Sequence, residues 1–490
     1  MNSKSIRVRF APSPTGIMHI GNIRTALLNY LFAKQKGGTF VLRIEDTDPQ
    51  RNFDPGAKII ISDLDWLSLV YDEGPGKDLS AVALANEDGA YAPYFQSERS
   101  AIYQEMLDEL KTKKLVYPCF CTEEELEKKR ERQRTLKIPP RYDRACLDLS
   151  PQEIADRLAQ NMPHIWRFKL DHDQAITITD LSRGTVKFEL KNFSDFPLTR
   201  ADGSFTFMFA NFVDDMSMKM SHVFRGEDHQ SNSAGQAALY LAFNAPLPIF
   251  WHMPMLCNLD GKKLSKRDFG FSLHDLKKEG FLPQALNNYL AIIGSSYEQE
   301  IMDLDELTQA LNFENPHTTG KIKYDVEKLR WVNHKWIDRL SPDELTAAAK
   351  PFLAEAYPQA ASLDEAQISS MLQIIKTDLY TLKDVVSALQ FYFEAPELTA
   401  TAIEACVPKE SMQPLADLIK KHLGTTENSD AFLTALKTEA KELGIPLKQL
   451  FWFLRLALMG QVNGPSIHDL IAILGTQESG KRIENALALI

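Results

Sequence analysis

The chain has 490 residues, too many for one hydrophobic core, so three or four domains are expected. Hydrophobic residues make up 44% and charged residues 25%, a balance that excludes wholesale disorder. The net charge of −11 rules out a globally basic protein but not a local basic face, because exposed charges more than about 10 Å apart are screened at 0.1 M salt.

The opening residues, Met1-Asn2-Ser3-Lys4-Ser5-Ile6-Arg7, lack the apolar stretch and small-residue cleavage site of a secretory leader. No apolar run approaches the roughly 20 residues that span a bilayer, so a cytoplasmic protein without membrane partners is expected. Five cysteines, an odd number, argue against a disulfide framework and leave core thiols or metal ligands.

Ile6, Val8 and Phe10 alternate with Arg7 and Arg9, the period of a half-buried strand. Ile23, Leu27, Tyr30 and Leu31 then recur at helical spacing until Gly37-Gly38, and Phe40, Leu42 and Ile44 alternate again. Residues 6–46 thus read as the strand–helix–strand crossover of a doubly wound, Rossmann-like α/β sheet. Residues 1–107 and 201–245 are expected to be the two halves of this core. An inserted α/β module is expected over 108–200, with short strands at Ala175–Thr179 and Val186–Leu190. Its densest basic stretch, Lys128, Lys129, Arg130, Arg132, Arg134, Lys137, Arg141 and Arg144, is interleaved with acids and has two open readings, a solvated helix face or an RNA contact. Apolar, aromatic sequence at Phe205–Val213 and His222–Arg225 signals a return to the sheet. Residues 246–325 become mostly helical around a lysine-rich turn, and 326–490 read as helix almost throughout. There Leu447, Leu450, Phe451, Leu454 and Leu458 form one stripe between Pro446 and Gly460.

Two strings carry chemistry. In Ala11-Pro-Ser-Pro-Thr-Gly-Ile-Met-His-Ile-Gly-Asn22, a histidine and a glycine open a helix directly after a strand, which suits a phosphate: Gly21 permits close backbone approach and the helix N-terminus favours an anion. His19 can donate to a phosphoryl oxygen as charge develops there. In Gly261-Lys-Lys-Leu-Ser-Lys-Arg267, two lysines flank Leu-Ser as point charges for polyphosphate; an exposed basic turn is the plainer reading of that string alone.

Together the two resemble the HIGH and KMSKS signatures of class I aminoacyl-tRNA synthetases. Arg7-Val-Arg-Phe-Ala-Pro-Ser-Pro-Thr-Gly16, Leu42-Arg-Ile-Glu-Asp-Thr-Asp48 and Val223-Phe-Arg-Gly-Glu-Asp-His229 resemble the bacterial glutamyl-tRNA synthetase family in particular. The resemblance covers essentially the whole chain. It implies ATP with Mg²⁺, L-glutamate and tRNA-Glu as partners, an acceptor-binding role for 108–200, stem contact for 246–325, anticodon binding for 326–490, and a monomer. A non-discriminating enzyme that also glutamylates tRNA-Gln is the open alternative. The shorter paralogue that modifies a tRNA base lacks the long helical C-terminal part, and glutaminyl-tRNA synthetase carries a Pro-Glu-Pro-Asn-Gly type of string instead.

By the same resemblance His19, Lys263 and Lys266 are the catalytic residues. ATP falls to Pro12, Gly16, His19, Gly21, Asn22, Lys263, Leu264, Ser265, Lys266 and Arg267. Glutamate falls to Arg9 for its side-chain carboxylate, Ser13 assisting, Glu45 for its α-ammonium, Arg225 for its α-carboxylate, and the pocket positions Phe207 and Asn211. Phe207 stands where the family usually has tyrosine, so one hydroxyl contact is missing or replaced. Two carboxylates and one ammonium call for two cations and one anion, which this set supplies. Cys119-Phe-Cys121 with Cys146-Leu-Asp148 resembles the zinc site of some members; Cys119, Cys121, Cys146 and Asp148 are its candidate ligands, and vestigial or core thiols are the other reading.

Overall fold

The computed structural model describes residues 5–14, 16–48, 52–54, 56–76, 89–265, 268–314, 316, 320–423 and 429–490. In it, strand β1 (Arg7–Phe10) is buried at every position. The alternation predicts a half-buried strand; instead Arg7 and Arg9 are only 8% and 4% exposed. Each has an acid under cover with it: Arg7 donates to both oxygens of Glu73 (2.7 and 2.9 Å) and Arg9 to both of Asp215 (3.0 and 3.1 Å). A charged face can go inside when it is paired.

Helix α1 (Ile20–Lys36) follows, ending at Gly37, whose φ of 61° is the left-handed cap that glycine adopts without steric cost. Strand β2 (Thr39–Leu42) returns parallel to β1, with Val8 opposite Phe40, so the expected crossover forms. Helices α2 (Lys58–Trp66) and α3 (Ser100–Thr112) lead to β3 (Val116–Cys119). Helices α4 (Glu123–Thr135) and α5 (Pro151–Ala159) then separate β3 from its antiparallel partner β4 (Ile165–Phe168). Strands β5 (Ala175–Asp180) and β6 (Gly184–Glu189) form a hairpin. Helix α6 (Phe207–Ser217), β7 (His222–Gly226), α7 (Gln230–Ala242) and β8 (Ile249–Met253) complete this part.

The main sheet runs β6-β5-β8-β7, with β7 and β8 parallel. Ser221 N–H donates to Arg7 O (3.0 Å), which ties β1 and β2 to the same layer. Segment 108–200 therefore divides. Its β3–β4 pair carries a small core of Tyr117, Cys119, Phe120 and Cys146, whereas its β5–β6 hairpin extends the main sheet, Asp180 standing opposite Phe250. Ile176 and Ile178 point inward from β5 onto the large cluster that holds Phe209, Phe212 and Phe250. From Phe207 on the stretch is helix rather than strand, only Phe205 bridging to Thr199: residues 209–215 are buried on all sides and leave no period by which to distinguish the two. Helix α4 buries no residue, and its basic run is partly neutralised by Lys128–Glu124, Lys129–Asp143, Arg130–Glu127 and Arg134–Glu127 pairs, the geometry of a solvated face.

The chain divides into two units, Met1–Leu276 with Pro283–Leu329, and Lys277–Leu282 with Arg330–Ile490. The second is helical. Its helix Leu447–Met459 buries Leu450, Leu454 and Leu458 completely and stops at Gly460, as the stripe predicts. No helix among the described residues is long and apolar enough to cross a membrane.

Candidate active site

A cleft of about 920 Å³, within the size range of small-molecule sites, opens at the carboxyl ends of β1, β2 and β7, where ligands of doubly wound sheets bind. Arg9, Pro12, Ser13, Gly16, His19, Asn22, Glu45, Phe207, Asn211 and Arg225 all line it. The loop after β1 is pinned across those ends, its Pro12 and Pro14 carbonyls accepting from the N–H groups of Glu45 and Phe53 (2.9 Å each).

One continuous buried network forms the floor. Arg225 Nη1 donates to Gln236 (2.7 Å), Gln236 to Asn211 (2.8 Å), and Asn211 to Glu45 Oε1 (2.6 Å). Arg43 bridges Glu45 (3.1 Å) and Asp215 (2.7 Å), and Asp215 holds Arg9. Below it Asp214 accepts from Gln96, Arg99 and Tyr103 (2.7, 2.6 and 2.9 Å). Burial would raise the Asp215 carboxyl, but Arg9 and Arg43 more than offset it and hold it below the carboxylate range. Glu45 goes the other way: burial raises it, and Arg43 and Asn211 only partly compensate.

Arg225 is the exception in this network. It is 7% exposed, has no acidic partner among the described residues, and its Nε–H has no hydrogen-bond acceptor there. Burial, then the neighbouring charge of Arg9, pushes it down to about 10. Arg9, Arg43 and Arg99 each contact Asp214 or Asp215, and Arg43 also Glu45, whereas Arg225 reaches an acid only through other side chains, Asp180 standing two away beyond Ser233 and His252. Arg9 also keeps donors in hand: three of its five N–H groups are used, two on Asp215 and one on Phe224 O (3.2 Å).

His19 caps α1 with its ring. Its Nδ1 accepts from the N–H groups of Gly21 (3.1 Å) and Asn22 (3.3 Å), so a neutral ring carries its hydrogen on Nε2, and the Asn22 side chain accepts back from the His19 N–H (3.4 Å). Burial, then Lys263, lowers the ring's pKa against the pull of Asp228, which favours that neutral donor. The ring stacks on Phe271 at 5.0 Å. A Cβ at Gly21 would lie 3.0 Å from His19 Cε1, so the glycine makes room for the ring.

Lys263 reaches toward the same side, its Nζ 3.7 Å from Asp228 Oδ2 and largely exposed. Leu264 is buried and anchors the loop, while Ser265 donates twice to Asp268 (2.8 Å each). Lys266 and Arg267, like Thr15, lie outside the described residues. Phe207 packs its ring 5.7 Å from His229.

Away from the cleft, ligand atoms of Cys119, Cys121 and Cys146 lie within 4.8 Å of one another. Asp148 is exposed and stands outside that group. The Tyr142 hydroxyl is there instead, 3.2 Å from Cys119 Sγ and 3.8 Å from Cys121 Sγ. The fold sets the Tyr142 hydroxyl, four residues before Cys146, beside the thiols, and its oxygen also accepts the Cys146 N–H (3.0 Å). Arg43, Asp215 and Gln236 were equally hidden, although an Asp214-Asp215 pair inside the apolar helix Phe207–Ser217 is a signal of buried charge.

Fold and cleft together define a Rossmann-like α/β protein whose cleft joins a histidine-capped helix N-terminus to buried arginines. Residues 5–331 match the family model for tRNA synthetases class I (E and Q), catalytic domain, and residues 344–487 match an anticodon binding domain. The chain is 38% identical to the glutamate–tRNA ligase of Elusimicrobium minutum and 36% identical to that of Clostridioides difficile, over 98% of each chain in both cases. It also matches the crystal structure of a glutamate tRNA ligase from Elizabethkingia meningosepticum in complex with its amino acid, with a TM-score of 0.87 and 31% identity over 99% of both chains. The chain belongs to the class I tRNA synthetases of the E and Q type.

Proposed function

We propose that this protein joins L-glutamate to the 3′ end of tRNA-Glu. Full-length relatives named as glutamate–tRNA ligases support the reaction. The observation that carries the choice of amino acid is the set of spare donors on Arg9 at the side-chain end of the pocket; Arg225, with no acid in contact among the described residues, faces an α-carboxylate that glutamate and glutamine share. At the side-chain end glutamate presents a carboxylate and glutamine a neutral amide, so glutamate alone makes charge-assisted bonds to Arg9.

In this reading Arg225 takes the α-carboxylate and Glu45 the α-ammonium, whose arrival returns the raised Glu45 toward its ordinary range. The spare donors of Arg9 take the side-chain carboxylate, with Ser13 beside it and Phe207 and Asn211 shaping the wall. An oxygen of the α-carboxylate attacks the α-phosphorus of ATP, pyrophosphate leaves, and a ribose hydroxyl at the tRNA terminus then attacks the acyl carbon and releases AMP. No protein nucleophile is needed. Pro12, Gly16, Gly21, Asn22 and the 263–267 loop cradle the nucleotide, and His19 Nε2–H, Lys263 and Lys266 stabilise the charge that grows on phosphate. Mg²⁺ accompanies the ATP in this class. Segment 108–200 serves the acceptor end, 246–325 the stem and 326–490 the anticodon, in a cytoplasmic protein that works as a monomer.

The three thiols and Tyr142 suit a sulfur-rich structural zinc site, which would stiffen the β3–β4 layer. For the amino acid, pyrophosphate exchange measured with tRNA present is the test. Exchange is expected with glutamate and not with glutamine; equal exchange with both would remove Arg9 from the explanation.

A further inference from the structure

Behind Arg225 lies a hydrogen-bonded series that the steps above leave without a role. Asp180, at the end of β5, accepts at Oδ2 from the His252 backbone N–H (3.0 Å) and sits 2.7 Å from His252 Nδ1. His252 Nε2 is 2.7 Å from Ser233 Oγ, and Ser233 Oγ accepts from Arg225 Nη2. Asp180 and His252 are 1% exposed and Ser233 0%. Asp–His–Ser is the order of a nucleophilic triad, but here the serine is sealed from solvent and its oxygen faces a guanidinium, so no acyl group reaches it.

The protons can be placed. Asp180 Oδ1 accepts from the backbone N–H groups of Ser182 and Arg183 and from the Ser182 hydroxyl (2.9, 3.0 and 2.9 Å). Burial raises Asp180, yet its bonds from His252 and Ser182 outweigh this and keep it below the usual range, an ionised acceptor. His252 Nδ1 therefore carries the hydrogen and Nε2 accepts. Ser233 gives its one hydrogen to Nε2 and turns its lone pairs on Arg225. On the other side the Gln236 amide oxygen holds Nη1. Both terminal nitrogens of Arg225 are thus held by neutral oxygens. A carboxylate placed directly against Arg225 would fix it as well, but would cancel the charge an incoming anion needs.

We propose that Asp180, His252 and Ser233 are positioning residues for Arg225, holding its guanidinium in place while leaving its charge free for the substrate carboxylate. This rests on Arg225 being the α-carboxylate receptor. Protonation of His252 turns Nε2 into a donor and moves the serine hydrogen off it, toward the His229 carbonyl oxygen 3.5 Å away. The charged and titratable groups facing His252 are Asp180, Arg225, Arg183 and His229. Burial lowers His252, Asp180 opposes, Arg225 and Arg183 add to the lowering, and the result lies below 6.5. This series is therefore the arrangement at neutral pH.

The test uses the full chain with tRNA and follows kcat/KM for glutamate in His252→Leu, His252→Gln, Asp180→Asn and Arg225→Lys, with KM for ATP and Tm for each. His252→Leu and Asp180→Asn are expected to lose about tenfold in kcat/KM for glutamate at neutral pH, the loss of one hydrogen bond on a charged group, with KM for ATP nearly unchanged and Tm lowered, because each leaves buried polar groups without a partner. His252→Gln, whose amide oxygen replaces the Nε2 acceptor, is expected to recover most of that loss in both kcat/KM and Tm. An unchanged kcat/KM in His252→Leu, a loss shared with KM for ATP, or a His252→Gln that recovers Tm without recovering kcat/KM overturns the proposal. If Arg225→Lys retains full kcat/KM, the reading of Arg225 itself fails; if it loses activity while His252→Leu does not, the positioning role alone fails.

Discussion

Arg9 and Arg225 are both buried arginines in one cleft, yet they stand on opposite sides of an electrostatic divide. Arg9 shares Asp215 with Arg43, whereas Arg225 has only neutral oxygens. Arg9 can therefore serve selection at the side-chain end through its spare donors without being an unpaired charge itself. Packing separates glutamate from glutamine poorly, because their volumes nearly coincide. Arg9→Gln removes one of the two cations on Asp215, so the variant is expected to lose stability; breaking such a desolvated pair costs about 3–5 kcal/mol. Selection is read separately. Activation of glutamate should fall by more than any residual activation of glutamine, and a glutamate-to-glutamine ratio equal to that of the wild type in pyrophosphate exchange would confine Arg9 to a bracing role.

At the scale of elements, the N-terminus of α1 is built around one ring. Gly21→Ala places a methyl 3.0 Å from His19 Cε1 and 3.1 Å from Nδ1, tighter than the ring can accept without moving. Moving it weakens two capping bonds and displaces the Nε2 donor, so turnover in exchange should drop by about tenfold or more while Tm falls by only a few degrees. Unchanged turnover would show that the ring's position does not matter. The β3–β4 layer is tested by metal analysis of protein purified without chelator. About one zinc per chain is expected, with release by Cys119→Ser, weakening by Tyr142→Phe and no change in Asp148→Ala; metal-free protein with a well-folded layer would leave packing thiols. The crossover of β1, α1 and β2 was legible because its apolar periods switch cleanly between two and 3.6. Helix Phe207–Ser217 was not, since burial on all sides erases the period. Nor was the network of Arg43, Asp215 and Gln236, whose partners lie up to 206 residues apart and leave no local pattern. The site residues that were legible came from strings resembling a family, and the cleft gathers ten of them on its walls.

The whole molecule joins a catalytic unit whose sheet ends in a cleft lined by buried arginines to a helical unit that matches an anticodon binding domain over residues 344–487. A net charge of −11 is compatible with this, because the arginines of the cleft are buried and act locally. Pocket and anticodon unit make separate demands on the two substrates, one on the amino acid and one on the tRNA, so both can be varied in one experiment. The most direct measurement is the aminoacylation of purified tRNA-Glu and tRNA-Gln, each offered glutamate and glutamine with ATP. Glutamate attached to tRNA-Glu, with tRNA-Gln uncharged and glutamine attached to neither, is the expected result; attachment of glutamine at a comparable rate, or no attachment of glutamate to tRNA-Glu, would contradict it.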